Sequence, residues 1–144
     1  MTLGQIFSLC SLLALAGWLA LLAAPLSRIP LIRTARILSA VLALAYFVQL
    51  FTITQPVEGG NFSTLAGVSA LFSMPGNVML GWTHFLAFDL FTGAWAVEDA
   101  AKIGIPNWAL VVPLVLKFLV GPIGLLTYGA IRTAHLLRMK GRPF

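Results

Sequence analysis

From Leu3 to Ala24 the chain carries no charged residue, and three further apolar runs follow at about 34–54, 79–100 and 108–130. A helix needs roughly 20 apolar residues to cross the hydrocarbon core of a bilayer. Only helices and closed barrels satisfy their backbone hydrogen bonds in lipid. Barrel strands alternate polar and apolar residues, whereas these runs are continuous. The expected fold is therefore all-α: an integral membrane helical bundle of about four transmembrane helices, with all of residues 1–144 in one membrane domain. Composition agrees. Of the 144 residues, 60% are hydrophobic and 9% charged, against about 25% charged in soluble domains.

One apolar stretch is too short to cross. Residues 62–74 lie between the turn-rich TQPVEGGN and the helix-breaking PGN. This piece is expected as a re-entrant or interfacial helix. The first run lacks a basic n-region and exceeds a signal-peptide core, so it reads as a retained span. The single Cys10 has no partner for an internal disulfide.

The net charge is +5. The basic residues cluster between and after the runs, as topology determinants do near anionic headgroups, and nucleic acid is not an expected partner. Counting them does not orient four spans. Arg28, Arg33, Arg36 and Lys102 would lie on one side, and Arg132, Arg138, Lys140 and Arg142 on the other. A fifth crossing at 62–74 would instead leave only Lys102 apart from the rest.

The third run holds GWTHFLAFDLFTGAW, with His84 and Asp89 in its interior. On a helix, Asp89 lies about 140° round from His84 and about 7.5 Å further along the axis. Glu98 and Asp99 fall at the far end of the run. They read most simply as an interface cap with Lys102. If the fourth run returns antiparallel, Lys117 comes close in depth to Asp89. A lone charge at mid-bilayer costs about 2.5–3.5 kcal/mol on insertion scales, so an Asp89–Lys117 contact, direct or through water, is expected. Pro122 frees a backbone carbonyl, and Gly121 and Gly124 thin the helix around it. Broken helix at membrane depth must be covered by protein or line a cavity, which places this kink near Asp89 and Lys117. Phe85, Phe88, Phe91 and Trp95 recur at helical spacing, as packing or as a groove for an apolar ligand. His135 falls in the basic tail at 131–144 and is expected to be solvated. No HExxH or paired-cysteine metal pattern and no phosphate-binding glycine loop is present, so neither a metal nor a cofactor is expected.

The motif from Gly81 to Trp95, together with Asp99, Ile105, Pro106, Pro113 and LVGPIGLLTY, resembles the abscisic-acid-deficient-four-like family, also called the neoxanthin-synthesis family. The matching residues span about 62–128. The first two runs are similar only in hydropathy, and Lys117 stands where a threonine is expected. Plant members are required to convert the epoxycarotenoid violaxanthin into the allenic neoxanthin. The short chain looks like a bacterial member, in the bacterial inner membrane. Taken with the residues, the expected partner is a carotenoid or related isoprenoid, and the expected activity that of a membrane-embedded isomerase. His84, Asp89 and Lys117 are the candidate catalytic residues: Asp89 and His84 are expected to divide the acid and base roles, with Lys117 setting the charge of Asp89. Trp82, Phe85, Phe88, Trp95, Gly121, Pro122 and Tyr128 are the candidate substrate-binding residues, with Glu98 and Asp99 as supporting or interfacial groups. Epoxide-to-allene conversion is redox-neutral and needs only an acid and a base. The competing readings are a non-enzymatic carotenoid-binding or assembly factor and a small proton or ion carrier. A homodimer enclosing a polyene is compatible with the length but not required by it.

Overall fold

The computed structural model describes residues 1–24 and 31–140. The expected basic loop with Arg28, between Pro25 and Pro30, and the tail end with Arg142 lie outside the described residues. Among the described residues all regular structure is helical.

The first helix, α1 (Leu3–Ala23), begins at a capping box: Thr2 Oγ1 accepts from the Gln5 amide, and Gln5 Oε1 accepts from the Thr2 amide. The second, α2 (Leu31–Thr52), starts three residues before the expected apolar run. Both are long and apolar enough to cross a membrane. The expected short helix at 62–74 contracts to α3 (Leu65–Leu71), two turns capped by Thr64. Pro75 opens the long α4 (Pro75–Ile103) at its first turn, where a missing amide hydrogen costs nothing. α4 ends at Gly104, whose φ of 79° is the left-handed cap conformation that glycine adopts without strain.

α1 and α4 run parallel, and α2 runs antiparallel to both. Ser11 meets Trp82 near one end, and Leu21 meets Gly93 further along. Arg36 at the start of α2 pairs with Glu98 at the end of α4. The seam contains small residues and neutral polar contacts rather than charges. Leu90 fills the space over Gly17. Gln49 and Thr83 hydrogen-bond at 2.8 Å beside buried Cys10, and Ser39 donates to the Ala87 carbonyl at 2.9 Å. Such contacts hold helices together in lipid, where burial of apolar surface gives no net drive.

The expected single span at 108–130 is not one helix. A 3-10 turn at Asn107–Leu110 leads into α5 (Val111–Leu119), which stops at Val120 with φ −145° and ψ 67°. A new helix, α6 (Gly121–Lys140), starts immediately. The two form a hairpin. Gly124 lies on the backbone of Lys117, in a space where a Cβ would overlap main-chain atoms. α6 then runs parallel to α4: Gly121 meets Asp89, Tyr128 meets Trp95 and Asp99, and His135 meets Ile103. The chain therefore enters at the Gly104 end of α4, reaches the level of Asp89 and returns to the end it came from. Hydropathy reads 108–130 as one crossing because both arms are apolar. Pro122 acts as an early residue of a fresh helix rather than as a kink within an old one.

Candidate functional site

Asp89 occupies the face of α4 that meets the hairpin tip. An alanine Cβ at position 121 would stand 2.6 Å from Asp89 Oδ1 and 2.8 Å from Oδ2, so the carboxylate lies directly on Gly121. Oδ2 is buried, and no protein group donates to it. The carboxylate borders a cavity of about 290 Å³ between α1, α4 and the tip of α5, walled by Trp18, Trp82, Phe85 and Phe118. Trp18 and Phe118 pack edge to face across it, with ring centroids 5.7 Å apart. Trp82 is fixed by its indole N–H, which donates to Ser11 Oγ at 3.2 Å. Sequence reasoning missed Trp18 and Phe118. Both stand within apolar runs, and only the fold brings them to Asp89.

Lys117 is fully buried, 1% exposed, and faces protein rather than lipid. Its ammonium donates to Thr92 Oγ1 at 3.0 Å, and Thr92 in turn donates to the Asp89 carbonyl at 3.2 Å. Of the expected Asp89–Lys117 contact, direct or through water, the direct ion pair is not formed among the described residues; Lys117 reaches the Asp89 backbone through Thr92. Thr92 intercepts the ammonium because the hairpin places Lys117 about one turn deeper along α4 than the carboxylate.

His84 does not join Asp89. It stacks on Phe88 with centroids 4.8 Å apart, leans on Tyr46, and borders a separate cavity of about 390 Å³ between α2, α3 and α4. The structure does not bring together the expected acid–base pair of His84 and Asp89: the roughly 140° between them turns the two side chains toward different cavities. The proposed aromatic row is divided in the same way. Phe85 faces the Asp89 cavity, Phe88 faces the α2 seam, and Trp95 packs against Tyr128. Gly121 does belong to the Asp89 site, and Pro122 follows it at the start of α6.

The carboxylates at the end of α4 are ion-paired. Glu98 pairs with Arg36 and, at 3.5 Å, with Lys102. Asp99 takes a different set of partners from the expected Lys102 cap. It accepts from the fully buried Tyr128 at 2.5 Å and from Arg132 Nε at 2.7 Å, tying α6 to α4. The Asp99 hydrogen bonds raise the pKa of Arg132, beyond the apolar run, further above its ordinary value. His135, expected to be solvated, is half-buried, with Nε2 3.0 Å from the Ile103 carbonyl. Among the described residues no group of three His, Cys, Asp or Glu comes together as a metal site.

A family model described as ABA DEFICIENT 4-like matches residues 5–128, including the first two helices, where the motif resemblance had been one of hydropathy alone. No curated protein and no solved structure matches the chain.

Proposed function

Because the chain belongs to the ABA DEFICIENT 4-like family, we propose that it is a membrane-embedded isomerase of a carotenoid or related isoprenoid epoxide, with Asp89 as its acid and base. The observation that carries this reading is the buried, unpartnered oxygen of Asp89 at the helix break, on a side chain that lines a cavity walled by aromatic rings. An apolar pocket with one convergent polar group suits a long hydrocarbon bearing one reactive oxygen.

One carboxyl group can complete the cycle. Its O–H protonates the epoxide oxygen as the C–O bond breaks, leaving a hydroxyl and a carbocation. The carboxylate then takes a proton from a neighbouring carbon, and that C–H electron pair becomes the new double bond. The proton count returns to its start and mass is unchanged. Lys117 and Thr92 stand behind the carboxylate and set the charge around it. His84, in its own cavity, has no part in this step.

A second reading is favoured by the fact that, among the described residues, Asp89 is the only ionisable side chain lining its cavity. A binding or assembly factor would need no more than one such anchor. The ion-carrier reading has less support, since the next carboxylates along α4, Glu98 and Asp99, are already ion-paired.

The test is turnover of epoxy- and hydroxycarotenoids by the purified protein in lipid nanodiscs, with products separated by chromatography and weighed. Wild type is expected to give a product of unchanged mass. Asp89→Asn is expected to lose about 10²–10⁴-fold in rate, and His84→Ala to retain it. Pigment bound without conversion would favour the binding reading, and neither binding nor turnover would remove both.

A further inference from the structure

The charges of this chain are divided by position. Arg33, Arg36, Lys102, Arg132 and Arg138 all lie at the Gly104 end of the bundle. Two carboxylates share that end. Glu98 takes Arg36 and Lys102, and Asp99 takes Arg132. Arg33 and Arg138 make no ion pair among the described residues.

Of these two, Arg138 borders a cavity. Residues Ile131, Ala134, His135 and Arg138 form one stripe along α6, at the helical spacing of three and four. They face Trp108, Ala109 and Val112 across a groove of about 460 Å³. The floor is apolar and the cation stands at the outer end. His135 is held against the Ile103 carbonyl at 3.0 Å, which fixes that wall. Trp108, 78% exposed, forms the opposite lip, where an indole favours the boundary between headgroup and hydrocarbon.

The geometry points to an anionic phospholipid site in this groove, with the lipid phosphate on Arg138 and an acyl chain along Trp108, Val112 and Ile131. Charge complementarity selects the occupant. A zwitterionic lipid presents its phosphate beside a cation, whereas an anionic one adds net attraction to a basic end. An arginine at the end of an apolar groove fits both halves of such a lipid. The site is separate from the Asp89 cavity and does not depend on the chemistry proposed there.

The test is native mass spectrometry of the detergent-purified protein, with phosphatidylglycerol or phosphatidylcholine of matched chains added as the probe. Wild type is expected to retain phosphatidylglycerol about tenfold over phosphatidylcholine. Arg138→Gln is expected to abolish the preference, and Arg33→Gln to leave it intact. Trp108→Ala is expected to lower retention of both lipids. Thermal midpoints of each variant separate lost binding from lost folding. Equal retention of the two lipids by wild type would overturn the site, as would equal losses in Arg33→Gln and Arg138→Gln. Displacement of the lipid by millimolar inorganic phosphate would overturn it too, by reducing the site to a free-anion contact.

Discussion

A single hydrogen on Gly121 separates the two halves of the candidate site. Adding a methyl there drives it into both Asp89 oxygens. Gly121→Ala is therefore expected to displace the carboxylate by an ångström or so and to cut turnover by about 10²-fold, with a smaller effect on thermal stability because a side chain can yield. Gly124→Ala is the contrasting case. Its methyl meets the backbone of Lys117, which cannot rotate away. Thermal unfolding should show a loss of about 1–3 kcal/mol or more, with the hairpin opening first. Asp89 itself was legible in the sequence as a costly charge among leucines and aromatics, and so was its neighbourhood to the broken helix. The separation of His84 was contained in the same helical geometry that brought the two residues into one argument. What could not be read was the third partner, Thr92. A threonine in an apolar run costs little and draws no notice until a lysine is found on it.

At the scale of elements, α1 and α2 end close to where hydropathy places them, because an apolar helix has one way to satisfy its backbone in lipid. The hairpin was hidden for the same reason. Hydropathy records what a segment is made of, not which way it travels, and the reversal resides in one pair of dihedral angles at Val120. The clue was in the charge count. Four crossings split the basic residues evenly, an unusual result for a membrane protein. With 108–130 turning back at the level of Asp89, the described cations outside the core come to one end. In sealed vesicles of a Cys10→Ala background, Asn107→Cys and Leu137→Cys are expected to react with an impermeant thiol reagent from the same face. Labelling from opposite faces would restore a full crossing.

For the whole molecule, the family match over residues 5–128 covers α1 through the first part of α6, and so includes every residue that lines the Asp89 cavity. A long conjugated ligand in that cavity would lie against Trp18 and Trp82 and accept their excitation energy. Titrating a carotenoid into the nanodisc-embedded protein should quench tryptophan emission. Trp18→Phe and Trp82→Phe should each remove more of that quenching than Trp108→Phe, whose ring stands at the other end of the hairpin. Equal effects from all three would place the pigment elsewhere.

The hairpin that stops at the level of Asp89 also leaves the bundle uneven across its thickness. Beside the second half of α4 stand two extra helices. Beside the first half, on the same face, only α1 stands among the described residues. The Asp89 cavity lies at this step, roofed by Phe118 and bounded on the other side by Trp82 and Phe85. A hydrocarbon reaching the carboxylate meets protein if it comes through the leaflet on the basic side, and open lipid if it comes through the other. The molecule would then draw its substrate from one leaflet only, and the pigment content of that monolayer would set its rate.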